Sequence, residues 1–278
     1  MNSANKIFVL VVLTLIPVFA QDYLENQMVK GNGLYSRGEY FDAITEMKRL
    51  LYFDKEKEYT YEANKLIGEC YKAGAKFTEA INYFSKAEQS AGSPEEIYNC
   101  RISIIRINIL RRTNLRASVL LDAIEKDSRY SDKKEDINYW RGWNYIFSDE
   151  WDNASLQFAK ITPDHLLKKL CDSIDDCQYS VTKAKLLSYF IPGAGQFYTG
   201  NYVSGLLSLG WNILWGYTTI TAFSANRIFD GIMVGDLLWF RFYNGNNQNA
   251  EKFTEEKNTA ISNGALNYLQ NEYNGEKP

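Results

Sequence analysis

Gly38-Glu39-Tyr40-Phe41-Asp42-Ala43-Ile44 returns further along the chain as Ala75-Lys76-Phe77-Thr78-Glu79-Ala80-Ile81. A weaker third copy centres on Asn114-Leu115-Arg116-Ala117, and a fourth is Glu150-Trp151-Asp152-Asn153-Ala154. The four alanines, Ala43, Ala80, Ala117 and Ala154, stand at a constant interval of 37 residues. Self-similarity at such a period marks a supersecondary unit that buries its apolar face only by stacking on copies of itself. The spacing around each alanine predicts two antiparallel helices. A small residue twelve positions earlier (Gly31, Gly68, Gly142) lets the first helix approach the second. An aromatic three positions earlier (Tyr40, Phe77, Trp151) plugs the turn between them. Four positions after the alanine comes a large apolar residue on the same helical face, Met47, Phe84, Leu121 or Phe158. The third copy departs from the pattern, with Ile105 at the small position and Asn114 at the aromatic one.

The second copy, with Ile67-Gly68, Tyr71, Phe77, Ala80, Phe84 and Ala87, resembles the tetratricopeptide repeat, whose usual length is 34 residues. The resemblance covers roughly residues 22 to 165. It implies an all-α solenoid whose first helices line a concave surface that holds a peptide or another protein. Carried over by position, that surface includes Glu25, Met28, Tyr35, Glu62, Lys65, Glu69, Lys72, Ile102, Arg106, Ile109, Tyr139, Trp143 and Ile146. Tyr139 and Trp143 lie four apart on one helical face. They either anchor an apolar side chain of a partner or pack on the following helix near Leu166 and Leu167.

Bulk composition narrows the function classes. Of the 278 residues 45% are apolar and 23% charged, which describes a folding chain, not a disordered one. The net charge of −3 comes without a dense Lys/Arg cluster, and this argues against a nucleic-acid partner. The first twenty residues read as a secretory signal: Lys6, an apolar stretch from Ile7 to Phe19, and small Val18 and Ala20 ahead of Gln21. In an exported chain the four cysteines are open to oxidation. Cys171 and Cys177 would bridge a short loop and Cys70 would pair with Cys100, or the latter two are buried apolar residues.

From Leu186 to Asn226 no residue is charged, and the run is bracketed by Lys185 and Arg227. The expectation is a membrane hairpin over residues 185–245: a short broken helix, a turn at Gly200-Asn201, and a span over Val203 to Ser224. A third segment, Ile228 to Tyr243, carries Asp230 and Asp236 and reads as either interfacial or spanning. Within the hairpin, Pro192-Gly193-Ala194-Gly195-Gln196-Phe197-Tyr198-Thr199-Gly200, followed by Gly205, is similar to a Pro-Gly-x-Gly-Gln-x-Tyr-x-Gly motif of small bacterial membrane hairpins. It also resembles, more loosely, a two-helix transmembrane domain whose signature ends in Phe-Tyr-x-Gly. Here Gln196 stands where that domain has His. Residues 166–184 are expected as a linker and 246–278 as a polar tail, helical in part around Ala250 to Tyr268 and then frayed.

Catalysis finds little support in these residues. His165 is the lone histidine, so no histidine zinc cluster and no Ser-His-Asp arrangement arises. No phosphate-cradling Gly-x-x-x-x-Gly-Lys run occurs. The acidic run Asp172-Ser173-Ile174-Asp175-Asp176 lacks the Gly and terminal Glu of a calcium loop and reads as a solvated loop. The expectation is therefore an exported, membrane-attached adaptor or scaffold of a bacterial cell envelope, with no cofactor. Its partners are another protein or peptide and the lipid bilayer, and the hairpin is a place for self-association. The rival expectation makes the hairpin an accessory factor in membrane insertion or transport, with Asp230 and Asp236 as its working groups.

Overall fold

The computed structural model describes residues 23–278, so the expected signal over 1–20 lies outside the described residues. Every regular element among the described residues is helical. The chain divides into two compact units. The first runs up to Lys168 and includes Lys277–Pro278; the second spans Lys169–Glu276.

In the first unit the four repeats are four helix pairs. They are α1 (residues 23–36) with α2 (Tyr40–Phe53), α3 (Thr60–Ala73) with α4 (Phe77–Ser90), α5 (Pro94–Leu110) with α6 (Asn114–Glu125), and α7 (Lys134–Ile146) with α8 (Trp151–Ala159). Consecutive helices from α2 to α8 pack on one another, and α5 also touches α7 across one repeat. All four marker alanines are fully buried. The glycine positions do what their spacing predicts. A methyl group on Gly142 would stand 2.5 Å from Phe158 Cζ, and one on Gly68 3.1 Å from the Phe84 ring. A methyl on Gly31 would run into the Met47 side chain. In the third copy both members change together: Ile105 and Leu121 are fully buried at the corresponding positions, a larger residue facing a smaller one.

The turn inside each pair repeats as strictly as the packing. Gly38, Ala75, Arg112 and Asp149 all have positive φ, at 77°, 55°, 54° and 61°. Each donates its N–H to the carbonyl three residues back, and the next residue donates to the carbonyl five back: Glu39 to Leu34, Lys76 to Tyr71, Thr113 to Asn108, Glu150 to Tyr145. This is a Schellman closure, which satisfies carbonyls that the end of a helix would otherwise leave open. Glycine suits the left-handed position, yet only the first copy has it. Where the third copy lacks an aromatic plug, amides replace it. Asn114 Nδ2 donates to the Phe147 carbonyl at 3.1 Å, and Asn144 Nδ2 donates to the Asn114 carbonyl at 3.2 Å and to Ser118 Oγ at 2.9 Å.

Residues 166–184 are largely helical instead of an open linker. Helix α9 (Leu166–Cys177) contains the whole acidic run expected as a loop. Cys171 and Cys177 lie on that one helix about 1.7 turns apart, Cys171 buried and Cys177 exposed. All four cysteines are free thiols, so neither expected disulfide is present. Burial pushes the thiols of Cys70 and Cys100 up to about 11 and that of Cys171 up to about 12, as befits small apolar core residues.

The second unit continues with α10 (Val181–Phe190), the one-turn α11 (Ala194–Tyr198) and α12 (Tyr202–Ser224). Beyond α12 come α13 (Ile228–Val234), a π-helical segment at Gly235–Phe240, and α14 (Arg241–Asn271). Helix α14 packs back on α10, α11 and α12, so most of the expected polar tail is a long helix. No helix among the described residues is long and apolar enough to cross a membrane. The hairpin expected over 185–245, and the bilayer attachment that rested on it, are corrected accordingly. Absence of charge had been read as apolarity. Helix α12 is uncharged, but Ser204, Ser208, Asn212, three threonines from Thr218 to Thr221 and three glycines dilute its hydropathy. Asp230 and Asp236 are both exposed, Asp230 3.7 Å from Arg227.

We predict that Gly142→Ala lowers stability by about 1–3 kcal/mol through overpacking against Phe158, outweighing the roughly 1 kcal/mol helix preference for Ala. Adding Phe158→Leu, which removes the ring that the new methyl meets, should recover much of that loss in a denaturant double-mutant cycle. Strict additivity of the two single effects would refute the pairing.

Candidate functional site

The first-helix face was expected to gather thirteen residues, and packing divides them. Ile102, Ile109, Ile146 and Trp143 are buried. Trp143 is 2% exposed, against Phe147 at 6.3 Å and Tyr139 at 6.4 Å between ring centroids. Tyr139 is half-buried and also meets Trp140, Phe158 and His165 edge-on, at 5.1, 5.9 and 6.1 Å. These two rings are spent on the interior of the fourth pair, so the aromatic anchor drops out of the surface. Periodicity had placed them on the correct helix face. It did not show that α8 and His165 close over that face.

The polar members fare differently. Glu62 is exposed, while Lys65, Glu69, Lys72, Tyr35 and Arg106 are half-buried. Lys65 sits 5.9 Å over the Tyr61 ring. Burial and the nearby Glu69 carboxylate raise the Tyr35 phenol above its usual range, so it stays protonated. Glu69, Arg106 and Trp143 hold one repeat position at 37-residue intervals: acid, base and buried ring.

Arg106 has the most informative surroundings. Its guanidinium carbon lies 4.6 Å from the centroid of Trp140, a ring that is 1% exposed. Its Nη2 donates to the main-chain carbonyl of Lys277 at 2.6 Å, within the same unit. A guanidinium laid on an indole keeps its charge and its planar fork of donors while losing little freedom on binding. The side chain is thereby prepared to meet a carbonyl or carboxylate. No sequence signal marked Lys277 as an occupant of this face.

His165 was expected at a helix start, and there it caps α9. Its Nδ1 accepts from Leu167 N at 3.2 Å, and its ring stacks on Phe158 at 5.1 Å with 5° between planes. Burial holds its pKa below the ordinary histidine value. Among the described residues no group of His, Cys, Asp and Glu is arranged to hold a metal ion.

In the second unit the Pro192-to-Gly205 motif builds a buried polar node. Gly193, at φ 95°, lies against the backbone of Gly205, and a Cβ on Gly205 would stand 3.0 Å from the Gly193 carbonyl. Gly195 is enclosed by Ser188, Ala184 and Ala250, with Ser188 Oγ 2.5 Å from where a Cβ would be. Gln196 is fully buried and donates through Nε2 to Asn246 Oδ1 at 2.8 Å and to the Asn246 carbonyl at 3.1 Å. Gly193 N donates to the same Asn246 Oδ1 at 2.8 Å, and Gly195 N to Ser188 Oγ at 2.9 Å. Phe197 packs on Gly205, and Tyr198 OH accepts from Ser180 N at 3.3 Å under the Lys183 ammonium. Pro192 closes the α10–α11 corner, and Gly200, at φ 80°, closes the α11–α12 turn. The motif therefore joins α10, α11 and α14. Its partner Asn246 lies one residue beyond the boundary drawn from sequence.

Comparison with known proteins gives no relative: no family model, curated protein or solved structure matches the chain. The resemblances to the tetratricopeptide family and to the hairpin families are corrected to the extent that no family membership stands. What stands is an all-α, helical repeat-like architecture.

Two outcomes follow. Asn246→Ala strands the Gly193 N–H in the interior, while Gln196 Nε2 keeps the main-chain carbonyl of residue 246, and should cost about 1–3 kcal/mol, the loss of one buried group's partner; an unchanged denaturation midpoint would remove the node from the stability argument. For His165 the folded-state pKa is lowered, so its neutral form is the stabilising one. Stability is full above the unfolded-state value of about 6.5 and falls as pH drops below it through the folded value. A His165→Asn chain, which keeps an acceptor without titrating in this range, should lose this part of the pH slope in thermal melts.

Proposed function

We propose that the first unit is a binding module for an extended polypeptide, grasped on its first-helix face through main-chain carbonyls, with no catalytic role. The observation that supports this most is Arg106, held on Trp140 and donating to the Lys277 carbonyl. A main-chain carbonyl carries no side-chain identity. Such a contact accepts many sequences and leaves selectivity to neighbours, here the half-buried Lys65, Glu69 and Lys72 one repeat away and the exposed Glu62. A helical-repeat fold compatible with a tetratricopeptide-like one suits this work, since stacked pairs offer a long row of equivalent positions to an extended ligand.

The test uses the peptide Glu-Tyr-Asn-Gly-Glu-Lys-Pro, residues 272–278, carrying a fluorophore. Its binding is followed by anisotropy to a chain lacking Lys277 and Pro278. We expect saturable binding that weakens about ten-fold or more in Arg106→Gln, the loss of one charge-assisted hydrogen bond. Equal affinity in the variant, with helicity unchanged, overturns the proposal.

A further inference from the structure

The second unit holds a cleft that neither the repeats nor the polar node requires. Its volume is about 370 Å³, and Leu207, Trp211, Phe242, Arg241, Ser208 and Asn212 are among its lining residues. That size falls within the range of small-molecule sites. We propose that this cleft binds a small, flat aromatic carboxylate.

Three observations carry the inference. The apolar wall is a set of near-parallel rings. Trp211 and Phe242 stand 5.5 Å apart with 12° between planes, and Trp215 joins them at 6.0 and 6.4 Å, with 7° and 12° between planes. Trp211 is 42% exposed and, with Phe242, lines the cleft, so part of the array is open to an occupant. A further aromatic plane extends such an array by offset stacking, whereas an aliphatic chain gains only its area. The charge is the second observation. Arg241 is exposed in the cleft lining and has no ion pair among the described residues, so it offers an uncompensated cation to an anionic head group. A planar guanidinium takes a carboxylate bidentately. The third is the backbone. The π-helical segment Gly235–Phe240 ends directly before Arg241 and Phe242. The wider turn changes the phase of the helix just ahead of these two residues, and π-turns recur at functional sites. Asn212 adds polarity to the wall. Its Nδ2 donates to the Ser208 carbonyl at 2.8 Å, while its buried Oδ1 has no donor.

The experiment is calorimetric titration of the full chain with naphthalene-2-acetate, the uncharged naphthalene-2-acetamide, and decanoate. The acid should bind at one site, with the amide at least about ten-fold weaker because it lacks the charge for Arg241. Arg241→Gln should weaken the acid by a similar factor and abolish the difference between acid and amide. Lys257→Gln, an equal charge change at another exposed position on α14, should leave both affinities unaltered. Circular dichroism and thermal melts establish that both variants fold. The proposal is overturned if acid and amide bind wild type equally, if Lys257→Gln weakens the acid as much as Arg241→Gln, if decanoate binds as tightly as the aromatic acid, or if no acid binds at millimolar concentration.

Discussion

The closeness of the two helices within each repeat is the constraint from which the rest of the first unit follows. Where Gly142 faces Phe158 and Gly68 faces Phe84, a ring occupies the space that a Cβ would claim. The separation so imposed fixes where the marker alanine falls and how tightly the intervening turn must close. A left-handed residue then becomes the shortest way to reverse direction while still serving the last carbonyls of the first helix. Packing, turn and period are one requirement seen at three scales. The third pair is built differently, with Ile105 at the glycine position and Leu121 in place of a ring, both fully buried.

Much of that was legible beforehand because it is local and periodic. The alanines, the glycine-to-large pairs and the aromatic plugs lie within single repeats, where spacing alone tells which side chains meet. Legibility failed where a position is decided by a distant partner. For Tyr139 and Trp143 anchoring a partner and packing on the following helix stayed equally open, because helical phase says nothing of His165 against Tyr139. The turn residues Ala75, Arg112 and Asp149 share a backbone state but no chemistry, so no residue type disclosed it. The uncharged run from Leu186 misled in another way. Its polar side chains look like tolerated impurities in a lipid-facing segment, but Gln196 fastens Asn246 of α14 and Ser188 Oγ accepts from Gly195 N beside it.

The two units thus use polarity oppositely. In the repeats, most buried contacts are apolar and the polar groups gather toward one face, where Arg106 is poised by a ring beneath it. In the second unit a hydrogen-bonded amide cluster around Gln196 and Asn246 is buried, while many large apolar side chains of α12 and α13 remain exposed. A buried polar node of this sort penalises any shifted packing, since each slip leaves several donors unmet.

The left-handed turns carry one more consequence. An L-residue with a side chain held in that conformation costs about 1–2 kcal/mol, and three of the four repeats contain one. A helix pair on its own has little buried surface with which to offset such a debt. It is met only when a neighbour stacks and the shared core closes. Evenly spaced strain of this kind makes each pair a poor folder in isolation and a good one in company, so the array is expected to gain and lose its pairs together instead of fraying one at a time.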